Sequence, residues 1–111
     1  MELTRLVDFA RENYPEPTRK TEAAAGSEAK SPAYCVGGAL MFAARDLNIV
    51  DTSVVNISGY PSEKDLVNFL QTLNSNLDGE TATEYAGGIL WFNCGGATDN
   101  SWDAAENAVS H

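Results

Sequence analysis

The sequence predicts an all-α fold, a compact bundle of about five helices in which two apolar helices, residues 32–47 and 82–94, are covered by amphipathic ones. Three observations predict it. Two stretches are apolar on nearly every side, as central helices are. The other long segments carry apolar residues at helical spacing with charge on the opposite face. Serine and aspartate caps, prolines and glycines separate these stretches by short connections.

The first helix covers residues 2–14. Leu3, Leu6, Val7, Ala10 and Tyr14 share one face, whereas Glu2, Arg5, Asp8, Arg11 and Glu12 point away. Pro15 and Pro17 stop it. Residues 18–31 are polar and alanine-rich, and Thr21 to Gly26 reads either as one helical turn or as a surface loop. Ser31-Pro32 then opens the first apolar helix, with serine as N-cap and proline at the first helical position. Val36, Leu40, Ala43 and Leu47 form one face and Cys35, Gly38, Ala39 and Phe42 a second beside it. This helix fades at Asn48. Residues 53–58 are short and β-branched, and read as a lone extended segment or a small strand. Gly59 and Pro61 break the chain again.

Ser62 with Asp65 resembles a capping box, and the helix behind it lines Leu66, Leu70, Leu73 and Leu77 along one face. Asp78-Gly79 is its expected end. Thr81 and Glu84 make a capping box for the second apolar helix, in which Tyr85, Ile89 and Phe92 share a face. Gly95-Gly96 closes it. Asn100 or Ser101 is the expected cap of the last helix, with Trp102, Ala105 and Val109 inward and Asp103 in the first turn, where the macrodipole favours an acid. Trp91 and Trp102 are expected to close the core on its C-terminal side.

The two apolar helices share a pattern. Gly37-Gly38-Ala39-Leu40-Met41-Phe42 and Gly87-Gly88-Ile89-Leu90-Trp91-Phe92 both read Gly-Gly-x-Leu-x-Phe, each with a tyrosine (Tyr34, Tyr85) just upstream. Glycine inside a helix costs about 0.5–1 kcal/mol relative to alanine, so a pair needs a packing reason. The expectation is that the two helices cross with Gly37/Gly38 near Gly87/Gly88.

At 111 residues the chain reads as a single domain, 1–111. It has no signal-peptide h-region and no apolar run of membrane-spanning length, which predicts a soluble, cytoplasmic protein without a membrane partner. The net charge of −9 is unevenly spread. All seven basic residues lie in the first 64 positions. Beyond them stand seven acids and no base: Asp65, Asp78, Glu80, Glu84, Asp99, Asp103 and Glu106. Such a surface is repelled by nucleic acid and anionic membranes, which argues against direct nucleic-acid binding, and it suits a basic protein partner.

Residues able to carry chemistry are few. Cys35 and Cys94 lack the close spacing of metal or redox pairs and read as reduced, buried thiols. Cys35 near a helix start is where a cysteine hydrolase would place its nucleophile. The base such an enzyme needs would have to be His111, the single histidine. Asp99-Asn100-Ser101-Trp102-Asp103 has oxygen side chains at alternate positions, like the start of a calcium loop. The glycine and glutamate that define such a loop are replaced by Ala104 and Ser110, so helix capping accounts for these residues and no metal or other cofactor is expected. The glycine-rich polar loop from Asn93 to Asp103 lacks a P-loop lysine. It reads as a contact site for a protein partner through Asn93, Asp99, Asn100, Trp102 and Asp103.

The order Cys35-x-x-Gly38-Ala39-Leu40, then Ala86, Ile89, Leu90, Phe92 and Asn93, then a closing Trp102-Asp103 helix, resembles a group of small uncharacterised bacterial and phage proteins. The similarity covers about residues 31–109. It departs at Phe92-Asn93-Cys94, where those proteins have Trp-Asn-Asp. The resemblance implies a helical fold and a bacterial or phage origin, and it brings no activity with it. The sequence as a whole reads as a non-catalytic, protein-binding or accessory module. The alternatives are a hydrolase using Cys35, a nucleic-acid mimic and a structural homo-oligomer.

Overall fold

Helices form where apolar spacing persists and end where the backbone finds another partner. The computed structural model describes residues 3–20 and 33–111, and five α-helices lie among them. The Thr21 to Gly26 segment and the Ser31-Pro32 cap fall outside the described residues. Helix α1, Thr4–Asn13, buries Leu6, Val7 and Ala10. It stops at Tyr14, whose N–H still reaches the Ala10 carbonyl at 2.8 Å before Pro15. The Tyr14 hydroxyl donates to Asp46 on the next helix, and its ring meets Tyr34 edge-on at 5.4 Å.

Helix α2, Val36–Asp46, is the centre of the fold. Every residue from Val36 to Ala44 is buried, and the helix packs against α1 and two of the later helices. It begins four residues later than residue 32. Cys35 is extended, and its N–H donates to the Gly59 carbonyl at 2.9 Å, so that donor is spent outside the helix. The helix closes through Leu47 and a left-handed Asn48, a conformation asparagine tolerates better than most residues.

Residues 53–58 do not form a strand, and no strand occurs among the described residues. Asp51 folds the chain instead, accepting from the Ser53 N–H at 2.9 Å and its hydroxyl at 2.6 Å. Val55 goes into the core and Val54 faces solvent.

Helix α3, Glu63–Leu73, starts as expected, with the Ser62 hydroxyl accepting from the Asp65 N–H at 3.2 Å. It ends before Leu77, which is buried from the following turn. Asn74 makes that turn, and its side-chain amide donates to the Ala108 carbonyl at 3.0 Å. Asp78 opens the next helix rather than closing this one. Its carboxylate accepts from the Thr81 N–H at 2.7 Å, capping α4, Gly79–Leu90. The Thr81/Glu84 capping box is therefore not used.

That bond to the Thr81 N–H, seconded by the Thr81 side chain, holds the Asp78 carboxyl below its ordinary value of 3.8. A carboxyl depressed in the folded state stabilises the protein above its unfolded value, and the contribution disappears as pH falls through the folded one. Asp78→Ala should lower Tm at pH 7, and the gap from wild type should close on acidification below about pH 3.8. A gap unchanged down to pH 2.5 would show that the carboxylate is not the stabilising group.

The second predicted central helix, α4, packs against α2, α3 and the last helix but is not buried all round. Only Ala82, Ala86 and Ile89 of α4 are buried, whereas Glu80, Thr83, Glu84 and Gly87 face solvent. Its last turn tightens into a 3-10 segment, Trp91–Cys94. Helix α5, Thr98–Ser110, follows an extended Ala97, so Asn100 and Ser101 lie in its first turn and neither is the cap. Helix α5 packs most extensively on α4 and also touches α1, α2 and α3, so one apolar cluster draws on all five helices.

The glycine pairs do not meet each other. A Cβ on Gly38 would lie 2.7 Å from the Gly59 Cα and nearer still to its carbonyl oxygen. One on Gly88 would lie 2.8 Å from the Ala104 Cβ of α5. The repeat thus serves two separate close approaches. One seats the Gly59 loop on α2, and the other seats α5 on α4.

Candidate functional site

The turn that joins α4 to α5 is rigidly built. Gly95 is left-handed (φ 100°) and ends the 3-10 segment, and the Gly96 N–H returns to the Trp91 carbonyl at 3.1 Å. The Trp91 indole lies against Gly96, where any Cβ would collide with Nε1, Cδ1 and Cε2 of the ring. Its other side is open, and the residue is 52% exposed. Phe92 turns inward, and its N–H donates to the hydroxyl of the fully buried Ser101 at 3.1 Å. From the far end of the chain, the Arg19 guanidinium stands 5.2 Å over the Phe92 ring and donates to the Gly96 carbonyl at 3.2 Å.

The five residues read from the sequence fall into different places. Asp99, Asn100 and Asp103 are exposed on the outer side of α5. Asn93 is half-buried, and its side chain lies near enough to the Cys35 thiol to favour the thiolate slightly. Its Oδ1 is buried and accepts no hydrogen bond among the described residues. Trp102, expected in the contact loop, is only 4% exposed and belongs to the core, with the Arg11 guanidinium 5.5 Å over its ring. Its rim closes a shallow groove of about 320 Å³ with Arg11, Pro15, Thr98 and Asp99.

The indole that the turn presents to solvent is that of Trp91, not a core residue as the sequence predicts. The signal that would have found it is spacing. Glu80, Glu84, Gly87 and Trp91 follow i, i+4, i+7, i+11, one stripe of a helix, and all four are exposed.

Gly87 has no packing role, since a Cβ there would meet nothing within 4 Å. Gly87→Ala should therefore raise unfolding stability by about 0.5–1 kcal/mol, the helix-propensity gain at an exposed interior position. Urea denaturation measures it, and a loss of stability would mean the position is more constrained than its open surroundings indicate.

Cys35 is completely buried at the start of α2. Burial pushes its thiol pKa up, and this outweighs the opposing influence of the Gly38 N–H, the Asn93 side chain and the Gly37 N–H. Such a thiol stays protonated near neutral pH. His111 lies elsewhere in contact, its ring Nδ1 3.1 Å from the Tyr85 hydroxyl. Cys94 is exposed. A native-state titration with a thiol reagent should thus modify one cysteine quickly and the second only after denaturation. Rapid native modification of Cys35 would contradict its burial.

No group of three or more histidine, cysteine, aspartate or glutamate side chains among the described residues could hold a metal ion. Among them, too, no helix is long and apolar enough to cross a membrane. No family model, no curated protein and no solved structure matches this chain.

Proposed function

We propose that this protein is a non-catalytic binding module whose partner is a basic protein. The observation that carries the reading is the disposition of charge. Six of the seven acids in the base-free part of the chain (Asp78, Glu80, Glu84, Asp99, Asp103 and Glu106) are exposed. Among the described residues no lysine or arginine forms an ion pair with any of them. An unneutralised carboxylate surface accelerates encounter with a basic partner and repels polyanions. A cytoplasmic accessory role in a bacterium or phage accords with the resemblance of residues 31–109 and belongs to the same proposal.

Native purification from source lysate at low and at high salt tests the reading. The expected result is a stoichiometric basic protein that is retained at low salt and lost at high salt, because exposed charge pairs are screened within about 10 Å at 0.1 M salt. A partner retained at high salt would place the binding energy in apolar contact instead. A protein that comes alone at every salt concentration would remove the reading.

A further inference from the structure

We infer that the outer face of the α4–α5 pair is the docking site, and that it receives a lysine- or arginine-bearing helix of the partner protein. This rests on the proposed binding function and names the surface that would perform it. The floor of the face is the contact of Gly88 with Ala104, where a Cβ on Gly88 would lie 2.8 Å from the Ala104 Cβ. One helical step to the solvent side of that line places Glu84 and Gly87 on α4 and Trp91 at the start of the 3-10 segment that continues it. The same step on α5 places Asn100, Asp103 and Asn107, and all six residues are exposed.

Three features distinguish this face from an ordinary solvated one. Its carboxylates, Glu84 and Asp103, face no lysine or arginine of the described chain within ion-pair distance. Its indole is held in place by Gly96 with one side left open, so the ordering cost is met before a partner arrives. An exposed tryptophan on the same stripe as a carboxylate is a receptor for the cationic side chains of a helix, one held by the ring face and another by the acid. Finally, Gly87 is a helix-interior glycine without any neighbour. Gly37, Gly38, Gly59, Gly88 and Gly96 each face an atom that a Cβ would crowd. Apart from Gly79 at the first position of α4, Gly87 is the helical glycine that leaves room in front of the surface, and that room lets an opposing helix approach closely. From Glu80 to Trp91 the stripe is about 16 Å long, three turns of such a helix.

The test uses the intact protein, a synthetic 16-residue alanine/lysine helix as probe, and a matched alanine/glutamate helix as control, at about 20 mM salt, where charge attraction is little screened. Amide and indole N–H resonances are followed during titration of the wild type, Gly87→Leu, Trp91→Ala and Glu84→Gln. Gly87→Leu and Trp91→Ala change exposed positions, so the fold persists in both. The expected result is saturable shifts confined to residues 84–91 and 100–107 with the lysine probe only, weakened at least tenfold by Gly87→Leu and by Trp91→Ala. Shifts centred elsewhere on the acidic surface, or binding equal in Gly87→Leu and wild type, would overturn this site while leaving a basic partner in place. No shift anywhere with the lysine probe would overturn the basic-partner reading and the site together.

Discussion

Gly38→Leu should abolish cooperative folding or reduce stability by about 3 kcal/mol or more, toward the upper end of the cost of overpacking a core. The obstacle is backbone, which cannot swing aside as a side chain can. A Cβ at residue 38 would lie 2.7 Å from the Gly59 Cα and closer to its carbonyl. That carbonyl also accepts the Cys35 N–H at 2.9 Å, so pushing the loop away breaks the bond that sets the start of α2. Gly59 is itself in close backbone packing, since a Cβ there would collide with the Ala33 carbonyl. Because α2 is buried from Val36 to Ala44 and packs against α1, α4 and α5, the damage should spread through the core. Urea denaturation followed by far-UV circular dichroism reads the effect. An unfolding midpoint within error of the wild type would show that the loop can move. The contrast with Gly87→Ala is internal to one sequence. The same residue type in the same Gly-Gly pattern should give a large loss at one position and a gain at the other.

The second large effect is expected from Trp102→Ala, about 3–5 kcal/mol, the range for deleting a large aromatic side chain from a core. Trp102 belongs to the buried cluster to which α1 and α5 both contribute, and Arg11 of α1 covers its ring. Truncation leaves a cavity between helices and removes that cation–π contact. Trp91→Ala should behave in the opposite way. Its side chain is half in solvent, and its loss should change stability little while changing what the surface binds. Measuring both variants for unfolding and for partner affinity separates the two roles. Should Trp102→Ala fold with wild-type stability, its place in the core would be refuted.

Much of the fold was legible because helix patterning is local. The face of α1, the cap at Ser62, the stop at Gly95-Gly96 and the inward Trp102, Ala105 and Val109 all depend on residues within a turn or two of one another. The errors occurred where two local signals competed. Asp78 and Thr81 both offer a cap, and only packing of Leu77 into the core decides that Asp78 is used. Ser53 to Ser58 is β-branched enough for a strand, yet a strand needs a partner edge and none is present among the described residues.

The candidate surface was less legible than the fold. The acids were countable from the sequence, because there is no lysine or arginine beyond Lys64 to pair with them locally. Which tryptophan faces solvent was not, because the exposed Trp91 lies in the apolar run Ile89-Leu90-Trp91-Phe92 whereas the buried Trp102 is flanked by the polar Ser101 and Asp103. The sequence by itself determined the all-α class, the amphipathic faces and the charge asymmetry, since each follows from side-chain chemistry at short spacing. Tertiary structure alone decided that α2 is buried on every side and α4 along one side, that each glycine pair serves a different neighbour, and that Trp91 is the exposed indole. Those outcomes depend on which backbone comes to lie against which glycine, a relation between residues distant along the chain that no local pattern encodes.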